Sequence, residues 1–492
     1  MFGARVYNRG MFDHDQCYAI ICARDARHDG RFFIGVKTTG VYCRPVCPAR
    51  TPKRANVTFY PSAVAAEQAG YRPCLRCRPE ASPGTPAWNG TGATVGRALK
   101  LIEEGAMDEG GVDELAARVG VGARHLLRLF VEHVGAGPVA VAQSRRVHLA
   151  KILLDQTTLP ITDIAFAAGF SSLRRFNAAF RKTYARAPRD IRRASTSMSN
   201  GDGLVMRLSY RPPFDWDQVA GFLAGRAIAG VERVTTEEYA RTVRLDDATG
   251  IIRVRPADKG HQLKVVIPVT LAKHTHEIVR RVRRVFDLRA DSLAIGAHLG
   301  CDPLLRPVVA ERPGLRVPGA WDGFELAVRA ILGQQVTVKA ATTLSGRLAR
   351  RYGQRIEGAE GEELAYVSPT PERLAGARLN NLGAPETRAN AIRTLARAVC
   401  EGRIRFETPA DPEQWAATLM ELPGFGAWTT QYIAMRALNE PDAFPAGDLA
   451  LQKMLSPGTR VTEKQLLQRA EAWRPWRAYA AMHLWTSFSS GG

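Results

Sequence analysis

Four thiols lie at Cys43, Cys47, Cys74 and Cys77, in the stretches GVYCRPVCPAR and YRPCLRCRPE. Two close pairs, Cys43-x3-Cys47 and Cys74-x2-Cys77, are separated by 26 residues. That spacing suits a tetrahedral four-thiolate site, so Zn2+ is the expected cofactor. A closed four-ligand site ordinarily holds a fold and does no chemistry. The neighbours argue for more: Arg44, Arg50, Lys53, Arg54, Arg72, Arg76 and Arg78 crowd the ligands. A dication and basic neighbours keep thiols ionised, and a thiolate is a nucleophile toward soft carbon such as a methyl group. Cys17 and Cys22 form a weaker third pair, read as buried or free thiols.

A second chemical stretch is LPGFGAWTTQYIAMRALNEPDAFPAGDLAL. Leu422 to Gly426 read as a hairpin between helices. Gly424 and Gly426 allow close backbone approach, and amides at the next helix's N-terminus suit a phosphate. Asp448, 22 residues beyond Gly426, stands before LALQKML, where it reads as a helix N-cap. Capping and catalysis are compatible at that position.

The elements that must position these groups form a long chain. Its 492 residues imply three or four domains, and a hydrophobic content of 45% suffices for real cores. No N-terminal apolar run resembles a signal peptide and no stretch is apolar enough to span a membrane, so a cytoplasmic, nucleoid-associated protein with no membrane partner is expected. The net charge of +20 and a pI near 10 point to a polyanion, most often nucleic acid. The excess is not a tail: residues 1–80 carry 13 Lys and Arg against 6 Asp and Glu, and 91–200 carry 16 against 10. ASPGTPAWNGTGA (81–93) and ASTSMSNGDG (194–203) read as linkers.

Between those linkers a pattern occurs twice. VDELAARVGVGARHLLRLFVEHVG gives a helix, a glycine turn and a basic helix with Arg124, His125 and Arg128. ITDIAFAAGFSSLRRFNAAFRKTYA repeats it with Arg174, Arg175, Asn177 and Arg181. That is the helix-turn-helix plan, whose second helix enters the major groove. The competing reading is a helical bundle with a solvated basic face. Beyond 204, alternating segments such as GIIRVRPA and QLKVVIPV beside WDQVAGFLAGRAIAG suggest a small α+β layer, and from about 320 the pattern is mainly helical.

Three resemblances follow. FFIGVKTTGVYCRPVCPARTPKRANVTFYPSAVAAEQAGYRPCLRCRPE is similar to the N-terminal domain of the Ada DNA-repair regulators. The resemblance implies that Cys43 takes a methyl group from a DNA methylphosphotriester, with Cys47, Cys74 and Cys77 as the remaining zinc ligands. Loss of one thiolate charge would then raise affinity for DNA and make Cys43 a switch, used once. The tandem repeat joined by VAQSRRVHLAKILL resembles the AraC/XylS DNA-binding domain; Arg124, Arg128, Arg174, Arg175 and Asn177 are its candidate base or phosphate contacts. Residues 204–488 resemble the AlkA 3-methyladenine DNA glycosylases of the helix-hairpin-helix superfamily. That likeness implies Asp448 as catalytic carboxylate and Phe222, Trp428, Tyr432 and Trp485 around the base. It places Gln335 at the wedge and Leu422, Gly424 and Gly426 on DNA. Departures are Gln335 where AlkA has a leucine, and Leu449 where it has a tyrosine. Trp428 occupies the position of the Schiff-base lysine of bifunctional members, and no cysteine run follows Cys400. A monofunctional, cluster-free enzyme is expected, without O6-methylguanine repair.

The expectation is a multidomain α+β protein. It comprises a zinc methyl-acceptor domain (1–80), an all-α double helix-turn-helix domain (94–193), an AlkA-like α/β layer (204–290) and a helix-hairpin-helix glycosylase domain (291–488). Its function would be alkylation repair joined to adaptive-response activation. Its partners would be double-stranded DNA, damaged and promoter, and RNA polymerase. The alternative is a DNA-binding transcription regulator with an inactive glycosylase half.

Overall fold

The computed structural model describes residues 13–83, 92–157, 159–192, 203–361, 363–379, 382–407, 409, 411–454 and 461–490. Most of the two expected linkers, 84–91 and 194–202, lies outside them. The chain divides into two compact units. One is Met1–Pro212 with Lys259–Gln262 and Ala272–Ile278; the other is Pro213–Asp258, Leu263–Leu271 and Val279–Gly492.

The first unit begins with a sheet in the order Val57–Tyr60, Phe33–Val36, Val41–Cys43, Arg72–Pro73. The first three strands are antiparallel, and Arg72–Pro73 runs parallel to Val41–Cys43. Register pairs Ile34 with Cys43 and Gly35 with Tyr42. Because successive side chains of a strand point to opposite faces, Cys43 and Tyr42 are sent apart. Cys43 joins Cys17, Ile21, Ile34 and Phe59 on one face, and Tyr42 joins Phe33 and Ala66 on the other. Gly35 has no room for a side chain: a Cβ there would lie 2.8–2.9 Å from the Tyr60 and Tyr71 rings.

The helical part of this unit carries both expected repeats. Val112–Arg118 and Ala123–Val134 form one pair, Ile161–Ala167 and Leu173–Tyr184 the other, and the 19-residue helix Pro138–Gln156 joins them. The turns of both pairs contain a glycine with positive φ, Gly120 (+73°) and Gly169 (+87°), a conformation that disfavours other residues. Leu126, Leu129 and Phe130 of the first pair and Phe176 and Phe180 of the second are buried at helical spacing, which leaves the basic residues outside.

The sheet is bound to the long helix by buried charge. The Tyr42 hydroxyl donates to Glu67 Oε1 at 2.8 Å, and His148 Nε2 lies 2.8 Å from the same oxygen. Arg78, which follows Cys77 in the chain and sits at φ +54°, pairs with Asp155 at 2.7 Å. Lys151 reaches Asp155 and, at 3.5 Å, Glu80; all three are nearly inaccessible. Ser62 Oγ donates to the Val134 carbonyl at 2.6 Å.

The second unit has antiparallel strands Glu232–Val234, Tyr239–Leu245, Ala248–Pro256 and Gln262–Ile267, each paired with the next. Asp215 caps the helix Trp216–Ala224, and Trp216 stacks on Phe286 at 5.5 Å. The helical part is centred on Gly323–Leu332, nearly all buried, packed against Val338–Tyr352, Glu386–Cys400 and Ala427–Ala437. One element departs from the mainly helical expectation. Gln354–Glu360 and Leu364–Val367 form a two-stranded hairpin, anchored where Thr242 Oγ1 donates to the Tyr366 carbonyl. Its strands are short and its first segment polar, so period-2 alternation is weak there.

The Glu67–His148 pair should give the first unit a pH-dependent stability. Burial opposes both charges, but the surrounding partners together outweigh it: Glu67 with Glu80 raises His148 above 6.5, and His148 with Tyr42 and Ser144 lowers Glu67 below 4.5. The contribution is complete between those ordinary values. It is lost as pH rises through the raised His148 value, and also as pH falls through the depressed Glu67 value. Replacing His148 with Ala should cost about 3 kcal/mol near pH 6. In urea melts of the full chain, the difference from wild type should shrink as pH rises through the raised His148 value.

Candidate functional sites

Cys43 ends its strand. Cys47 follows a tight turn closed by its N–H on the Arg44 carbonyl (3.1 Å), and Cys74 donates its N–H to the Tyr42 carbonyl (3.0 Å). Arg78 closes the Cys74–Cys77 turn with its N–H on the Cys74 carbonyl at 3.0 Å. These bonds bring all four sulfurs within 4.8 Å of one another, and tetrahedral Zn–S bonds of about 2.3 Å need S···S distances of about 3.8 Å. Hydrogen bonds among the sulfurs push the Cys43 and Cys77 thiols up and pull Cys74 far down. The cluster thus shares protons that a dication displaces, and the donor set fits zinc. The Cys77 sulfur accepts the Arg44 N–H at 3.4 Å, and the backbone N–H groups of Ala49 and Cys77 act to lower the Cys47 and Cys74 thiols. Cys43 has no such N–H among the described contacts. Cys43, Cys74 and Cys77 are buried, and Cys47 is half-buried. Cys17 packs in the same core, its thiol pushed up to about 12 by burial and by Asp13, and Cys22 is exposed.

The seven basic neighbours are not one crowd. Arg44 is held by Asp29 (Nε–Oδ1 2.9 Å), Arg78 by Asp155, and Arg54 pairs with Asp15. Arg50, Lys53, Arg72 and Arg76 are exposed. On the helical repeats, Arg124, Arg128, Arg174 and Arg175 are exposed and Asn177 is half-buried. Ser172 caps the helix that carries the last three, accepting from the Arg175 N–H at 3.3 Å.

In the second unit the hairpin Leu422–Gly426 joins the helices Pro412–Met420 and Ala427–Ala437. Gly424 sits at φ +89°, and a Cβ there would lie 2.9 Å from the Ala391 Cβ, so this glycine is required on both counts. Gln334 Nε2 donates to the Gly424 carbonyl (2.6 Å) and to Thr429 Oγ1 (3.2 Å). That ties the hairpin to the loop where Gln335, exposed and at φ +54°, is presented.

Asp448 is where helix capping and aromatic packing converge. Its Oδ1 accepts from the N–H groups of Ala450 (3.0 Å) and Leu451 (3.1 Å) and from Trp485 Nε1 (3.1 Å). Oδ2 accepts from Trp428 Nε1 at 3.2 Å. Trp428 stacks on Tyr432 with ring centres 5.4 Å apart and planes at 8°, and Trp485 lies 6.4 Å from Tyr432. Three of the four expected aromatics therefore gather at the carboxylate. Phe222 joins through cations: Arg226 and Arg436 lie 3.7 and 4.7 Å from its ring centre. Leu449, beside Asp448, is exposed.

Several site residues were not identified from sequence. Arg436 Nη1 donates to the Tyr432 hydroxyl at 2.8 Å, and Arg226 is a second cation that lowers the same phenol. Each arginine stands four residues after an expected aromatic, Tyr432 and Phe222, a one-turn spacing that could have flagged them. Arg329 and Gln334 carried no comparable signal.

Comparison with known proteins agrees with this layout. Residues 16–80 match the metal binding domain of Ada, and 115–194 a helix-turn-helix domain. Residues 205–322 match the AlkA N-terminal domain, and 328–477 the HhH-GPD superfamily base excision DNA repair protein. The chain is 41% identical, over 96% of both lengths, to a probable bifunctional transcriptional activator/DNA repair enzyme AlkA of Mycobacterium tuberculosis (strain CDC 1551 / Oshkosh). DNA-3-methyladenine glycosylase 2 of Escherichia coli (strain K12) is 38% identical over 56% of this chain and 95% of its own. The bifunctional transcriptional activator/DNA repair enzyme AdaA of Bacillus subtilis (strain 168) is 32% identical over 39% of this chain and 88% of its own.

Metal analysis of the purified chain should find one zinc per molecule. Cys74→Ala, which removes a buried ligand, should abolish it, whereas Cys22→Ala should leave the metal content unchanged.

Proposed function

We propose, from the premise that the chain belongs to the family of the bifunctional transcriptional activator/DNA repair enzyme AlkA, a specific division of labour between its two centres. As a member of that family the protein repairs alkylated DNA and regulates transcription; its second unit is a DNA glycosylase and its cysteine cluster binds zinc.

In the glycosylase reaction Asp448 is the catalytic carboxylate. The observation that carries this reading is its suspension between two indole N–H groups beside the Trp428–Tyr432 stack. Four N–H donors fix its plane. A carboxylate so fixed needs no reorganisation as positive charge develops on the sugar, so it stabilises the oxocarbenium-like transition state and orients the attacking water. An N-alkylated purine such as 3-methyladenine is itself cationic, and the aromatic faces attract it by about 0.5–2 kcal/mol each. Its glycosidic bond is already weak, and flipping it from the stack costs a few kcal/mol. Gln335 fills the vacated place, and the amides behind Gly424 and Gly426 hold the phosphate backbone. The products are a free base and an abasic site.

In the other centre the Cys43 sulfur attacks the methyl carbon of a DNA methylphosphotriester. The C–S bond forms, the C–O bond breaks, and its electron pair stays on the phosphate oxygen. Held by Cys43, Cys47, Cys74 and Cys77, zinc would keep the four sulfurs deprotonated. Accessibility alone would favour Cys47; nucleophilicity favours Cys43. A hydrogen bond to a thiolate withdraws charge and weakens it as a nucleophile, and a backbone N–H acts on each of the other three sulfurs. A dication bound by four thiolates is doubly negative, and methylation removes one of those charges. The repaired centre therefore repels phosphate less, and Arg124, Arg128, Arg174, Arg175 and Asn177 then hold the promoter for RNA polymerase in the cytoplasm. The four domain spans, 1–80, 94–193, 204–290 and 291–488, are part of the same reading.

Asp448→Asn should lower 3-methyladenine release at least about a hundredfold, read as abasic sites in methylated duplex DNA. Normal release from that variant would remove Asp448 from the chemistry. Trp428→Phe keeps the ring and loses one donor to the carboxylate, and should cost about tenfold. Mass spectrometry after exposure to methylated DNA should find a single added methyl on Cys43; a methyl on Cys47 would reverse the assignment. Arg174→Ala should weaken promoter binding and reduce its salt slope by about one.

A further inference from the structure

The surroundings of the Tyr432 hydroxyl are unusual for a base-stacking tyrosine. Arg436, on the same helix, donates to it at 2.8 Å and is anchored by the carbonyls of Pro318 and Gly319. Arg226, just past the helix Trp216–Ala224, is a second cation acting on the same hydroxyl and is steered by the Phe222 carbonyl at 3.3 Å. Arg329, on the helix Gly323–Leu332, faces it as a third cation and is held by Thr342 Oγ1 at 3.0 Å.

The acids nearby are already engaged. Glu325 is bound by Arg241 at 2.9 Å and by Ser368; Glu232 takes Arg241 at 3.3 Å and the Tyr239 hydroxyl at 2.7 Å. Asp448 lies beyond Trp428, bound by the two indoles. Four arginines thus face two glutamates around this centre; among the described residues no carboxylate forms an ion pair with Arg226, Arg329 or Arg436, although Glu232 and Glu325 lie near enough to Arg329 to favour its charge.

We propose that Tyr432 works as a phenolate, and that this anion, stacked on Trp428, makes the enzyme select cationic N-alkylated bases over neutral ones. Ionisation adds a negative charge at the point where the arginines converge. Burial opposes it, but Arg436, Arg226 and Arg329 outweigh burial and bring the phenol down from 10.0 to about 8. A phenolate ring is more electron-rich than a phenol and attracts a cationic base more strongly, while a neutral base gains little. The arginines themselves would repel a cation, so an ionised Tyr432 also screens them from the base. Selectivity should therefore rise with pH across the range in which Tyr432 ionises. The inference rests on the reading that Tyr432 lines the base pocket.

Two measurements on the full chain test it. The near-ultraviolet tyrosinate band, followed against pH, should show one tyrosine with a midpoint near 8, absent from Tyr432→Phe. Arg226→Met, which keeps Tyr432 and removes one cation, should move that midpoint upward; it also carries the test if Tyr432→Phe fails to fold. Base release is then compared on duplexes containing 3-methyladenine, a fixed cation, and 1,N6-ethenoadenine, a base that stays neutral from pH 7 to 9. The preference for the cation should grow up to about tenfold between pH 7 and 9 in wild type, following the ionised fraction, and stay flat in Tyr432→Phe. No tyrosine titrating below pH 9, or equal pH dependence in both proteins, overturns the proposal. Release of neither base at any pH, with the tyrosinate midpoint in place, would overturn the pocket assignment and the selectivity with it.

Discussion

An ionised group taken out of water costs several kcal/mol unless partners are built around it. Both units of this chain are organised by that constraint. In the first, four sulfurs converge on one point, and backbone N–H groups and a dication make their charge tolerable. In the second, Asp448 is surrounded by donors before any substrate arrives. The chemistry proposed for each centre uses what the constraint leaves available: Cys43, which among the described residues has no backbone donor to its sulfur, and a carboxylate already held by four N–H groups.

The same constraint explains what could be read from residues alone. Cysteine spacing is set by the metal's own geometry, so Cys43, Cys47, Cys74 and Cys77 were legible without a fold. The two helix-turn-helix pairs were legible because glycine turns and apolar spacing are local. Asp448 was legible as a helix cap because an acid before LALQKML is a local signal; its catalytic assignment came from the family resemblance.

Long-range charge pairing was not legible. Nothing in the order of residues says that Arg44 belongs to Asp29, that Arg78 reaches Asp155, or that Arg226 meets Tyr432 across more than two hundred positions. The basic residues around the cysteines read as a single electropositive field, whereas three of the seven are paired with carboxylates. The hairpin of Gln354–Glu360 and Leu364–Val367 was missed for a related reason: its short strands pair with each other, and the contacts that anchor it, at Gly230 and Thr242, come from more than a hundred residues away.

The sheet that carries Cys43 looks in the sequence like a detachable cassette, bounded by a polar spacer at 84–91. The buried ties from Glu67 to His148 and from Glu80 and Arg78 to Lys151 and Asp155 say otherwise. Transplanted onto a foreign helical partner, the cassette would arrive with carboxylates and a guanidinium facing apolar surface. Portability of this module in evolution or in engineering is therefore limited by the docking helix, which has to travel with it.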